Sequence, residues 1–230
     1  MGGVKIEGLS LQLGGGGNRF DLWEDSFNTY GNVQDMEPFY LIQSATALTL
    51  SIPVAGTLTI TEVLPIIATE AKSFMTPASL PGAINQEQFT EAVFKGTTGG
   101  ANNRSGWLLC GVNDGKLMQT GGALNGFSQA WQLTLVPAAN MLLRRLVNGT
   151  NTTISTFALP ATNDKVTFTV NNEGGSARLK TFYNDVLVDS TLDAAGTVGI
   201  RGLPGLYLQE GVNNNSISFG SLRCGKLSRR

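Results

Sequence analysis

Apolar and polar residues alternate along most of this chain, and Gly, Asn and Asp break the alternation at short intervals. In RLKTFYNDVLVDSTLD, Leu179, Thr181 and Tyr183 fall on one face of an extended strand, and Arg178, Lys180 and Phe182 on the other. Asn184-Asp185 interrupts the pattern. Both residue types tolerate the positive φ of a two-residue turn, so the chain is expected to reverse there and return through Val186 to Leu192 as a central hairpin.

The same reading extends along the chain. Leu48, Leu50 and Ile52 form one strand and Leu58 and Ile60 another, joined by a turn over Pro53–Gly56. AKSFMTPASLPGAINQEQ, with two prolines and little periodicity, reads as a long loop, with a short helix near Glu70. EQFTEAVFKG and WLLCGV read as strands. Phe127, Trp131, Leu133 and Leu135 share one face, and Ser128, Ala130, Gln132 and Thr134 the other, which places Trp131 in a core. MLLRRLV turns at Asn148-Gly149 and returns through TTISTFAL; Val166, Phe168 and Val170, then Val198 and Ile200, Leu206 and Leu208, and finally SISFGSLRC complete about a dozen strands. So many short strands without a fixed repeat predict an all-β, two-sheet antiparallel sandwich or jelly roll.

The N-terminus differs. Val4, Ile6, Leu9, Leu11 and Leu13 form an apolar alternating arm that Gly14–Gly17 separate from the rest of the chain. No G-K-[ST] completes a phosphate loop there. The expected organisation is an arm and glycine hinge over 1–17, a sandwich over 18–224 and a basic tail over 225–230. A free strand of this kind is an edge waiting for a partner, so the arm is expected to contact another subunit.

Composition narrows the chemistry. The 230 residues include 29 Gly, only 14% charged residues, a net charge of −1 and no histidine. A broad basic field for nucleic acid is excluded, and so are Ser-His-Asp and Cys-His catalysis. No stretch is long and apolar enough for a membrane span, and the first residues lack the apolar core of a secretion signal. Cys110 and Cys224 are expected to be buried thiols. Glu87 and Glu91 share strand parity and could pair as acid and base, although a solvated face explains them as well. Asp185, Asp189 and Asp193 could gather calcium, but loop spacing for it is missing. No cofactor or metal is expected. Trp107, after the NNRSG loop, and Tyr207, of opposite parity to Leu206 and Leu208, are the candidate surface for a ligand or partner. The basic CGKLSRR terminus reads as a solvated tail or a dock for an acidic surface.

From Phe127 to Cys224 the order of segments is a strand around Trp131, the Asn148-Gly149 hairpin, DKVTFTVNNEGGSARLKTFYNDVLVDSTL, GTVGIRG and ISFGSLRC. It resembles the concanavalin A-like (laminin G-like) sandwich modules of lectins, glycan-processing enzymes and virion proteins of tailed bacteriophages; NRFDLWEDSF matches their opening strand. Gly220-Ser221 stands where the last strand of such modules carries an acidic residue, and the E-x-D-x-x-E of the hydrolases is absent. The resemblance implies a concanavalin A-like sandwich. With no catalytic constellation, it points to a non-enzymatic virion structural protein, made in the host bacterial cytoplasm and placed on the head or on a tail or fibre. Its partners would be other virion proteins or its own copies. The alternative is a lectin-like module binding a host-surface glycan.

Overall fold

The computed structural model describes residues 22–32, 34–36, 39–44, 48–54, 56–62, 71–77, 87–98, 104–112, 119–120, 123–124, 129–136, 140–148, 150–194, 202–210 and 216–227. The arm with Val4, Ile6, Leu9, Leu11 and Leu13, its glycine hinge, Glu70, Val198, Ile200 and the last three residues lie outside this set.

Among the described residues there are seventeen strands and one 3-10 turn, Gln34–Met36. The strands are β1 (Leu22–Asp25), β2 (Tyr40–Ser44), β3 (Leu48–Val54), β4 (Thr57–Glu62), β5 (Ala71–Pro77) and β6 (Gln88–Thr98). Then come β7 (Arg104–Val112), β8 (Gln119–Thr120), β9 (Ala123–Leu124), β10 (Gln129–Val136), β11 (Asn140–Val147) and β12 (Thr150–Phe157). The last five are β13 (Lys165–Glu173), β14 (Ser176–Tyr183), β15 (Val186–Asp193), β16 (Leu203–Glu210) and β17 (Ser216–Lys226). One sheet runs β15-β14-β13-β6-β17-β4-β3, with β1 also on β17; the other runs β12-β11-β10-β7-β16-β5-β2; β8 and β9 form a small ribbon. The pairings are antiparallel, as in a two-sheet sandwich.

The interior follows the alternation. Val166, Phe168, Val170, Ala177 and Leu179 from the first sheet meet Leu108, Trp131, Leu133, Leu135, Met141 and Leu143 from the second. Each large side chain buried there contributes about 1.5–3 kcal/mol. Two buried carboxylates pin the periphery. Asp25 Oδ2 accepts from the hydroxyls of Tyr40 (2.7 Å) and Tyr30 (2.8 Å), its Oδ1 accepts from the Phe27 N–H (2.8 Å), and Trp23 Nε1–H donates to Tyr40 Oη (3.0 Å). This knot holds β1 and β2, from different sheets, at one end of the sandwich. It also fixes Phe27 at a φ of 57°. The Phe27 carbonyl caps the Gly56 N–H, where a side chain would meet Asn28 Oδ1 at 2.5 Å. At the other margin Asp193 accepts from Trp131 Nε1–H (3.0 Å) and Arg145 Nη1–H (2.6 Å).

Three expectations change. The Asn184-Asp185 hairpin forms as expected, but β15 is the edge of its sheet, so the hairpin is not central. The segment read as a long loop contains β5, which β16 and β2 pair on both sides; those distant partners outweigh its weak periodicity. Pro53 lies inside β3 and not in the turn. It is tolerated because β3 is an edge strand and the register shifts between Ser51 and Val54.

Both cysteines are free and buried, and Cys110 Sγ sits 3.5 Å from Thr90 Oγ1. Burial pushes the Cys110 thiol up to about 12 and Cys224 well above its ordinary value. Burial, reinforced by Asp25, raises Tyr30 and Tyr40 beyond the usual phenol range, and burial raises Tyr183. All five groups are protonated in the folded and unfolded chain below about pH 8, so their contribution is fully present there. Above about pH 9 the unfolded chain ionises first, binds fewer protons than the native one, and gains stability at its expense. Thermal midpoints are therefore expected to fall steadily from about pH 9 to 11. A thiol reagent at pH 8 should label the native protein far more slowly than the denatured chain, because both thiols are buried and burial holds them protonated.

The hairpin gives a second test. Asn184 and Asp185 have φ of 49° and 68°. Asn184 exchanges hydrogen bonds with the Lys165 backbone at 2.9 Å each way and donates through Nδ2 to Asp164 at 2.7 Å. Replacing both residues with Val puts β-branched side chains at positive φ and removes the two bonds made by the Asn184 side chain. Urea unfolding should show a loss of about 1–3 kcal/mol; an unchanged midpoint would show that the turn does not set this register.

Candidate functional site

Alternation commits one face of each strand in the seven-stranded sheet to the core and leaves the other turned away. On β10, Trp131, Leu133 and Leu135 belong to the core, so Ala130, Gln132 and Thr134 occupy the opposite face. Register extends that face across the sheet. One row runs Gln43, Phe74, Tyr207, Trp107, Thr134, Leu142, Thr156 from β2 to β12. The next runs Gly205, Leu109, Gln132, Arg144, Thr153.

Trp107 and Tyr207, singled out separately in the sequence, are thus direct cross-strand partners. Thr134 is the next position in their row, and Gln132 lies one row away. The two aromatic positions alternate with the core residues Leu108 and Leu206, which places them on the outer face.

Gln132 and Thr134 are both 0% exposed although they lie on the face away from the core. Gln132 Nε2–H donates to Asn151 Oδ1 on β12. Gln132 Oε1 and Thr134 Oγ1 have no hydrogen-bond partner. Thr181 also carries an unpartnered hydroxyl, inside the sandwich. The two on β10 differ in being neighbours on one outer face. An orphaned buried polar atom costs about 1–3 kcal/mol, and two side by side are unusual enough to require an explanation. Toward β12 the face opens: Leu142 and Arg144 are half-buried, and Asn151, Thr153 and Thr156 are exposed. Chemically it offers an amide, hydroxyls, a guanidinium and two aromatic residue positions, a set suited to hydroxyl-rich ligands.

Other candidates do not converge. Glu91 is buried on the outer face of the eight-stranded sheet, not solvated. Its Oε2 accepts from Thr167 Oγ1–H (2.6 Å) and its Oε1 from Arg223 Nη1–H (3.0 Å). Glu87 accepts from the Asn172 N–H at 3.2 Å. The three aspartates are likewise spoken for. Asp185 is exposed and pairs with Lys165, Asp189 accepts from Ser155 Oγ–H at 2.7 Å, and Asp193 binds Trp131 and Arg145. Among the described residues no three His, Cys, Asp or Glu side chains converge on a metal position. None of the described helices is long and apolar enough to cross a membrane.

Gln132, Arg144 and Asn151 were not singled out from sequence. Period-2 alternation marks Gln132 and Thr134 as outward, but only the order of the strands reveals that β10 is central and that they are buried.

No family model and no curated protein matches the sequence. Solved structures match over most of the chain. The carbohydrate recognition domain of Emp47p is 13% identical with a TM-score of 0.55, over 93% of this chain and 100% of that one. A legume lectin-like domain from Entamoeba histolytica is 10% identical with a TM-score of 0.56, over 85% and 93%. The exoplasmic/lumenal domain of VIP36, in a Ca2+/Man2-bound form, is 12% identical with a TM-score of 0.55, over 91% and 89%. These likenesses establish the fold of the chain: a concanavalin A-like β-sandwich.

Proposed function

We propose that the protein is a glycan-binding module that works without catalysis. The observation that carries this reading is the pair of buried, unpartnered acceptors, Gln132 Oε1 and Thr134 Oγ1, in register with the Trp107–Tyr207 pair. Both side chains are 0% exposed in the free chain, so a sugar hydroxyl that completes them must first displace the groups that cover them, while sugar ring faces stack on aromatic residues. The likeness to the carbohydrate recognition domain of Emp47p and to the Ca2+/Man2-bound VIP36 domain supports the same reading. Binding without hydrolysis agrees with the occupied oxygens of Glu91 and with the absence of an E-x-D pair in the chain. The candidate calcium aspartates are committed to protein partners, so recognition here rests on side-chain hydrogen bonds.

A place on a bacteriophage virion is compatible with this role, since a surface module that grips a host glycan would attach the particle. What favours a protein partner in addition is the apolar edge at β15, where Val186 and Leu187 are 66% and 51% exposed.

A glycan array followed by calorimetry tests the proposal. Thr134→Val is isosteric and removes an orphaned hydroxyl. It should leave the protein as stable as wild type or about 1 kcal/mol more stable, yet weaken glycan binding about tenfold. Trp107→Ala should weaken binding at least as much, and binding should survive EDTA. An array with no bound glycan, or affinity unchanged in the Trp107→Ala/Thr134→Val double variant, would overturn the assignment.

A further inference from the structure

Strand β11 carries two consecutive arginines, and alternation sends them to opposite faces. Arg145 turns inward, where Asp193 takes its guanidinium at 2.6 Å. Arg144 belongs to the outer face. It is half-buried, in register between Gln132 of β10 and Thr153 of β12. Its other neighbours on that face, Leu142, Leu146 and Asn151, are also neutral. The outward register positions of the seven-stranded sheet hold one more cationic residue, Lys72 of β5, and no Asp or Glu among the described residues. Glu210, at the end of β16, has the inward parity of Leu206 and pairs in register with Arg104. The outer face of the eight-stranded sheet differs, since Glu24 and Glu91 lie beside Arg223 there. From this placement we infer that Arg144 sets the ligand class of the seven-stranded face: it receives the carboxylate of an acidic sugar, a uronic acid unit of an oligosaccharide. Arg144 acts within the glycan site proposed above, so this inference rests on that reading.

A guanidinium presents parallel N–H donors in one plane, and a carboxylate meets them with two coplanar oxygens. A half-buried cation is screened less by water and salt than one at the tip of an exposed side chain, so an anion gains more from it. Access is also better here than at the centre of the face. Asn151 and Thr153 beside Arg144 are exposed, so a sugar can approach this end without displacing what covers Gln132 and Thr134. Arg144 lies two strands from the Trp107 position, β7 to β10 to β11, which is about 10 Å at the usual strand spacing. The carboxylate therefore belongs to a different sugar from the one over the aromatic pair, and the ligand is an oligosaccharide and not a single sugar.

An array that carries oligogalacturonate, oligomannuronate and hyaluronan fragments, each beside its carboxyl-reduced form, tests the inference. By calorimetry the full chain should bind the acid form of at least one pair about tenfold more tightly than the reduced form. Arg144→Gln, with the circular dichroism of wild type, should erase that difference. Arg144→Lys keeps the charge and loses the fork, and should keep part of it. Raising NaCl from about 0.05 to about 0.5 M should shrink the advantage of the acid form, a readout that needs no variant to fold. Neutral oligosaccharides bound in preference to every acidic one, an acid preference that survives Arg144→Gln, or one that salt does not change would each overturn the inference and leave the glycan reading standing. A sulfated oligosaccharide bound more tightly than every uronic one would overturn the carboxylate assignment. No glycan of either kind bound would overturn both readings.

Discussion

The carboxylate of Asp193 ties the two sheets together. It closes β15, the edge of the eight-stranded sheet, onto Trp131 of β10 and Arg145 of β11 in the seven-stranded one. The group is 7% exposed, so its charge has lost most of its hydration. Such a pair adds little net stability when intact, but losing one partner leaves a buried charge at a cost of about 3–5 kcal/mol. The geometry is therefore held by the penalty for leaving it. Ser155 and Asp189 repeat the link further along the same seam.

That seam has two effects. With the Trp131 indole held inward by Asp193, alternation obliges Ala130, Gln132 and Thr134 to face outward, and so sets the phase of the outer surface. On β15 the effect is the reverse of ordinary amphipathic patterning. The inward positions are taken by Asp189, Thr191 and Asp193, and apolar Leu187 and Leu192 are left outside. A strand whose polar residues point to the interior has mainly apolar ones to show to solvent.

Much of the fold was legible in the sequence because most of its information is local. Alternation in RLKTFY, the αL-tolerant Asn184-Asp185 and the core parity of Trp131 need only neighbouring residues to be read. Strand β5 escaped because AKSFMTP has no period of its own and exists by pairing with residues more than 100 positions away in β16. The placement of the hairpin at an edge escaped for a related reason: a hairpin's local signal says nothing of its position in the sheet. Of the candidate site, Trp107 and Tyr207 were named from the sequence as surface candidates. Their adjacency was not, since it depends on β7 and β16 being neighbours across a wide sequence separation. Gln132 looked like any polar residue on a solvated face until the strand order placed it mid-sheet.

The outer faces of the two sheets carry comparable polar rows, and the contrast between them bears on function. On the eight-stranded sheet Thr167, Glu91, Arg223 and Glu24 lie side by side across β13, β6, β17 and β1. There each oxygen of Glu91 has a donor, and Arg223 reaches both carboxylates. In that row the carboxylate of Glu91 is satisfied internally, while Arg223 Nε, 3.4 Å from Glu24 Oε2, makes no hydrogen bond. On the seven-stranded sheet the row through Thr134 and the one through Gln132 are flanked by aromatic and aliphatic positions, and Gln132 Oε1 and Thr134 Oγ1, both buried, stay without a hydrogen-bond partner. A hydroxyl-to-methyl change at Thr134 would remove one of them at no steric cost, so the open acceptors are not forced by packing. Stability alone favours the methyl; the hydroxyl is what a surface needs if its open acceptors are to be completed by the donors of a ligand.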